Sequence, residues 1–182
     1  SNNKFSFSID KKFKLKNLVL NSDIQVNESE YKTSKSLDNY LEIKDNTIKF
    51  KNHKIKSNFN NNKFTINGSG KIKLQEIFED INYSIDSDDK DFKFNSKLLL
   101  SELNFNSQEY LKNFITNLDK TTTLKDQKIE INLDKKKLLI NGQGKIKFNN
   151  DFEDIKFKVL KIKNKFNFNT ELDLDNTPFK IN

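Results

Sequence analysis

The chain has 182 residues, with 33 basic and 26 acidic ones for a formal charge of +7. Ile, Leu, Val and Phe together make up about 31% of it, above the ~20% below which disorder is expected, so the chain has enough apolar side chains for one ordinary domain. Cys, Met and Trp are absent, which excludes disulfides, thiolate metal sites and a cysteine nucleophile, and no apolar run approaches the ~18 residues of a membrane span. Arg and Ala are missing too, so every basic residue is Lys. Lys, Asn, Ile and Phe have AT-rich codons, so the positive charge reads first as codon usage and only second as a sign of an anionic partner. A start without Met is expected of a segment processed or cut from a longer protein.

In chain order, Phe5, Phe7 and Ile9 alternate with polar residues in a stretch that weakly resembles the end of a later repeat. Glu28 to Tyr40 reads as a loop or a short helix. Ile48 and Phe50 alternate again, and the KNHKIKSNFNNN segment that follows is expected to hold about seven residues absent from the second repeat. Lys63–Leu100 and Lys137–Leu174 align without a gap, 74 positions apart, with close to half of the positions identical: INGxGKIK, FEDI, the FxFN pair and the LxL ending. A gapless match of that length marks an internal repeat. The chain is therefore read as one repeat-built β domain. Residues 1–36 end a preceding unit, 37–117 form a whole unit with a helix at about 107–118, and 118–182 form a second. The helix is signalled by Asn106 as cap, Glu109, and Leu111, Phe114, Ile115 and Leu118 on one face.

Within each unit the apolar period is two, which predicts half-buried strands with one apolar and one charged face. In the first unit the apolar face collects Phe64, Ile66, Ile72, Leu74, Ile81, Tyr83, Ile85, Phe92, Phe94, Leu98 and Leu100. In the second it collects Ile140, Ile146, Phe148, Ile155, Phe157, Val159, Phe166, Phe168, Leu172 and Leu174. Ser87-Asp88-Asp89-Lys90 and Lys163-Asn164 read as hairpin turns. Asn67-Gly68 and Asn141-Gly142 fit either two-residue hairpin turns or the middle of long bent strands. The second reading is favoured. It sets Gly68 and Gly70 on the apolar face, where glycine marks a bend or the close approach of another group. The expected fold is all-β: repeated antiparallel amphipathic strands in a long curved sheet or open U-shaped groove, with one short helix.

Catalytic chemistry finds no support in these residues. Glu79-Asp80 and Glu153-Asp154 are adjacent on strands, so the two carboxylates of a pair point to opposite faces and do not converge. His53 is the only histidine and is expected at the surface, within the extra residues. The Asp86–Asp91 run lacks the glycine and the final glutamate of a calcium loop, which leaves a solvated hairpin tip and no metal or cofactor. Lysines interleaved with phenylalanines suit single-stranded nucleic acid. The balancing 26 acidic residues and the lack of Arg count against it, so nucleic acid is not an expected partner. The apolar face remains. Either it is the dry core of a closed sandwich or solenoid with a structural or adhesive role, or it lines an open trough for acyl chains.

The INGxGKIK motif, the FEDI strand after it and the closing LDLxxTPFKI resemble AsmA-like proteins of Gram-negative bacteria, in particular the YhdP/TamB-type members. The resemblance covers most of residues 37–182. It implies a β-groove built of repeats, held to the inner membrane by an N-terminal helix and reaching through the periplasm. It further implies passive movement of phospholipid towards the outer membrane along the groove. It brings no catalytic residues. The partners it implies are phospholipid or another acyl-chain lipid and the adjacent repeats of a longer protein, with membrane contact through an anchor this segment lacks.

Overall fold

A computed structural model of the chain describes residues 1–33, 43–106, 121–148 and 151–173. These residues form ten antiparallel strands in one sheet whose spatial order is the chain order. The strands are β1 (Asn2–Ile9), β2 (Leu15–Lys32), β3 (Thr47–Asn60), β4 (Lys63–Lys73), β5 (Phe78–Ser87), β6 (Phe92–Asn106), β7 (Thr121–Asp134), β8 (Lys137–Phe148), β9 (Asp151–Ile162) and β10 (Lys165–Asp173). The sheet is open: β1 pairs only with β2, and β10 only with β9. No second sheet stands among the described residues, so the closed-sandwich alternative is not the architecture. The one described helical element is a 3-10 turn at Lys44–Asn46. The expected helix at 107–118 lies outside the described residues. Of the ambiguous Glu28–Tyr40 stretch, residues 28–32 complete β2 and 34–40 lie outside them as well.

Local chemistry explains the meander. Asn61 and Asn62 close the β3–β4 hairpin with φ of 46° and 67°, the left-handed pair a two-residue hairpin turn needs and Asn tolerates. Lys163 takes φ 55° in the β9–β10 turn. The β1–β2, β5–β6 and β7–β8 turns are each tied by an aspartate. Asp10 accepts from the backbone N–H groups of Lys12 and Lys14, Asp88 from those of Lys90 and Asp91, and Asp134 from those of Lys136 and Lys137. The Asp86–Asp91 run is therefore a turn whose first free carboxylate is spent on its own backbone.

The repeat is four strands long. β3–β6 and β7–β10 correspond strand for strand, 74 residues apart. β3 and β7 are both 14 residues long and start 74 apart, so the KNHKIKSNFNNN segment holds no extra residues. The positions that suggested them upstream, Leu37-Asp38 and Leu118-Asp119, lie outside the described residues. The same offset reaches back into β2. β2 pairs with β3 in the register β6 uses for β7: Leu20 faces Phe59 as Phe94 faces Leu133, and Ile24 faces Ile55 as Leu98 faces Ile129. β1 and β2 thus stand ahead of two four-strand sets.

The core lies on the apolar face, around Ile72, Leu98, Leu100 and Leu103 with Ile48, Phe50 and Leu124 against them. Leu124 continues it to Ile146 and Ile155. Burying a side chain of this size stabilises by about 1.5–3 kcal/mol. The opposite face is laced by exposed ion pairs that repeat with the strands: Lys71–Asp80 at 2.9 Å and Lys145–Asp154 at 3.3 Å. Exposed pairs of this kind contribute about 0–1 kcal/mol, so they favour the register more than they stabilise the sheet.

Candidate functional site

The cross-strand register sets the predicted apolar residues on one face. Ile66 is opposite Ile85, Ile81 opposite Leu98, Ile85 opposite Phe94, and Phe94 opposite Leu133. Ile140 is opposite Val159, Val159 opposite Phe168, and Ile155 opposite Leu172. Leu74 leaves the end of β4 and packs against the core cluster. Leu174 lies outside the described residues.

Each long glycine strand runs straight through its INGxG segment, as β4 and β8 show. None of the four glycines has a positive φ; they serve space rather than backbone freedom. A Cβ on Gly68 would lie 2.1 Å from the Tyr83 ring, and one on Gly142 2.0 Å from the Phe157 ring. Cβ atoms on Gly70 and Gly144 would lie 2.5 Å from the side chains of His53 and Gln127. Side chains from the strands on either side therefore fold down over the glycine strand. His53 of β3 and Tyr83 of β5 meet across β4, ring centroids 5.9 Å apart, and Phe50 stands edge-on to His53 at 5.5 Å.

His53 is not a surface residue: it is 5% exposed. The cause is a β-bulge. Register shifts between Lys51 and Lys54, and Asn52 takes φ 55°, so one extra residue turns His53 onto the apolar face. Its Nε2–H donates to the Lys71 carbonyl at 3.0 Å, and Nδ1 lies 3.4 Å from the Tyr83 hydroxyl. Burial pushes the Tyr83 phenol up from its ordinary value. The second unit builds the same bulge with Asp126 at φ 53°, and Gln127 donates from Nε2 to the Lys145 carbonyl at 2.8 Å. Gln127 Nε2 also donates to the Lys125 carbonyl at 3.2 Å; what imidazole and amide share is a flat side chain that fills the space over glycine and an N–H for the carbonyl after it. The signal was present as the repeated KNHKI and KDQKI segments, 51–55 and 125–129.

The acidic pairs split as expected, with an addition. Asp80 and Asp154 face the lysines already named. Glu79 and Glu153 are buried on the apolar side. Glu79 Oε1 accepts from the Ser101 backbone N–H at 2.9 Å and from its hydroxyl at 2.5 Å. Nearby, the Gln75 amide bonds both the N–H and the carbonyl of Asn104. Beyond Leu99, β6 has outrun β5, and these two side chains take the place of the missing strand.

The apolar face is widest open near its borders. Phe5 is 69% and Phe168 73% exposed, and Phe7, Ile9, Leu20, Phe64, Leu133 and Phe166 are exposed as well. Contiguous apolar side chains left in water are found where proteins meet other proteins, membranes or ligands. Among the described residues no three or more His, Cys, Asp or Glu side chains gather as a metal site would require. The cavity along the opposite face of β7–β10, of about 460 Å³, is open and lined by Lys128, Glu130, Lys156, Lys158, Asn169 and Glu171 among others, and no nucleophile with a base stands in it. No family model, curated protein or solved structure matches the chain.

Proposed function

We propose that the chain is a lipid-holding segment of an AsmA-like protein, in which acyl chains lie on the apolar face of an open β-groove while the lysine-rich face stays in water. The observation that carries this reading is an apolar sheet face with no second layer among the described residues and with phenylalanines exposed along it. Strands of 8–18 residues give that face about 26–60 Å at ~3.3 Å per residue, well beyond the ~15 Å of half a bilayer's hydrocarbon core. The residues that would line the trough are the apolar set named above, with Phe166, Phe168 and Leu172 the most accessible of its second unit among the described residues. The role is passive: the face shields acyl chains, and direction and energy come from partners. On this reading the protein works in the periplasm between the two membranes, tethered to the inner one, and phospholipid is its cargo.

The test is native mass spectrometry of the purified chain with lipid extraction alongside. Near one phospholipid per chain is expected. Phe168→Asp should lose most of it with an unchanged circular dichroism spectrum, because Phe168 is exposed on an edge strand and contributes little to the core. Lys93→Glu, on the other face, should keep it. Equal retention by all three proteins, or a lipid-free mass throughout, overturns the reading.

A further inference from the structure

One hairpin of the molecule outgrows its counterpart. β1–β2 and β5–β6 hold the same place in the repeat, 74 residues apart. β5 and β6 close at the Ser87–Phe92 pair, and the counterpart of Phe92 is Leu18. β1 and β2 run on to the Ile9–Leu15 pair, while β3 reaches β2 only as far as Val19. Residues 15–18 of β2 therefore have no partner on the β3 side. With β1 they carry the turn about 13 Å past the end of β3, at ~3.3 Å per residue. β2, β6, β8 and β10 all finish at the other end of the sheet, and every segment outside the described residues follows one of those ends.

The turn is fixed by hydrogen bonds and holds residues that folding does not call for. The Asp10 N–H donates to the Lys14 carbonyl and the Phe13 N–H to the Asp10 carbonyl, both at 3.0 Å. The Asp10 carboxylate takes the N–H groups of Lys12 and Lys14. Phe13 stands at the tip with φ 56°, a backbone region costly to a bulky side chain, where the β3–β4 turn uses asparagine. It is 91% exposed. Neither backbone preference nor burial accounts for a phenylalanine there. Around it Lys11, Lys12 and Lys14 are exposed and make no ion pair among the described residues. The acidic group of the turn, Asp10, is taken by Lys16 at 3.3 Å and by its own backbone. Codon usage explains abundant lysine but not this segregation. The counterpart turn carries Asp86, Asp88, Asp89 and Asp91 against Lys90 and Lys93, with no apolar residue at its tip.

We propose that the β1–β2 hairpin is a docking finger whose partner is the surface of a bilayer containing anionic lipid. Phe13 enters the boundary between headgroups and acyl chains, where its ring leaves water. Lys11, Lys12 and Lys14 stay at the level of the phosphates, which attract them. A single ring on a projecting tip suits a fluid surface. Single-stranded nucleic acid is held instead along a groove by successive stacked rings, and among the described residues no second ring stands against Phe13. The finger is separate from the apolar trough and docks whether or not that face carries acyl chains.

The chain has no Trp, so Phe13→Trp makes the tip its own reporter. Its emission is expected to shift to the blue with vesicles of phosphatidylcholine and phosphatidylglycerol in equal parts, and to stay unshifted with phosphatidylcholine alone. Sedimentation with the mixed vesicles should weaken about tenfold for Phe13→Asn. For the Lys11→Gln, Lys12→Gln, Lys14→Gln triple variant it should weaken about a hundredfold, at about fivefold per lysine. Asparagine suits the left-handed backbone, so Phe13→Asn should melt no lower than the parent; a lower melt would make the ring structural and overturn the assignment. An unshifted emission, an equal shift with neutral vesicles, or binding kept by the triple variant overturns it as well. Vesicle binding through the apolar trough alone leaves residue 13 in water and gives the unshifted emission. Tighter binding of a single-stranded oligonucleotide than of the mixed vesicles also overturns the proposal.

Discussion

The two four-strand sets, β3–β6 and β7–β10, differ in much of their sequence yet build the same device over their glycines. In the first set His53 and Tyr83 cover Gly70 and Gly68. In the second Gln127 and Phe157 cover Gly144 and Gly142. Imidazole gives way to carboxamide and phenol to phenyl, while the donated bond to the carbonyl after the second glycine is kept at Lys71 and Lys145. What the molecule preserves is a shape and the N–H bond to that carbonyl. Titration and acid–base chemistry are dispensable there, and for that reason the lone histidine reads as structural filling.

The glycines offer the largest way to break this equivalence. Gly144→Ala should cost most, because the added Cβ meets both the Gln127 amide at 2.5 Å and the Asp126 carbonyl at 2.8 Å, and the backbone oxygen cannot step aside. Overpacking of this kind costs about 1–3 kcal/mol, and the upper end is expected. For Gly142→Ala the nearest atoms are all in the Phe157 ring, so the double variant with Phe157→Ala should recover part of the loss. Denaturant midpoints of the singles and the double measure this. Additive losses would mean that ring and glycine are not coupled.

A smaller effect sharpens the comparison. If the two sets share one function at the bulge, His53→Gln and Gln127→His should each leave stability within about 0.5 kcal/mol. His53→Ala and Gln127→Ala should each cost about 1–3 kcal/mol for the orphaned carbonyl and lost packing. Thermal melts of the four variants decide it. A large penalty for the Gln and His exchanges would show that each set needs its own chemistry.

The bulge also marks where the sequence stops being readable. Alternation placed the strands, their apolar face and the turns, because a period of two is enough for that. Strict alternation from Ile48 and Phe50 turns residue 52 inward, however, and the extra residue at Asn52 turns in His53 instead; periodicity cannot see an inserted residue with a left-handed backbone. Whether the apolar face closes on itself was equally hidden, since open and closed sheets alternate alike. β2 escaped full recognition for another reason. It keeps the class of its counterparts, with Leu20 for Phe94 and Ile24 for Leu98, but few of their identities, and its membership shows only when β3 and β7 pair in the same register. The apolar face was legible as a set of residues; Phe166 and Phe168, its most exposed described members in the second unit, stand on β10, which pairs on one side only among the described residues, and no single strand's sequence encodes that.

The turns give the subtlest contrast, because the two sets exchange their turn chemistry. The first set closes β3–β4 with two left-handed asparagines and ties β5–β6 with Asp88. The second ties β7–β8 with Asp134 and closes β9–β10 at Lys163. The backbone N–H of Lys90, then that of Asp91, hold the Asp88 carboxyl below its ordinary value. The N–H of Lys136 is the main influence lowering Asp134, and Lys14 followed by Lys12 does the same for Asp10. A group whose folded pKa lies below its unfolded one contributes stability above the unfolded value and loses it as pH falls through the folded value. The three turns should therefore be fully effective from neutral pH down to about pH 5 and fail progressively below about pH 4. Asp88→Asn with Asp134→Asn keeps an acceptor oxygen at each turn but removes the proton-binding site. The double variant is expected to be less stable than the parent at pH 7 and to lose less between pH 5 and pH 3, so the two curves of urea midpoint against pH converge in acid. Parallel curves would show that the turn carboxylates do not carry the loss of stability in acid.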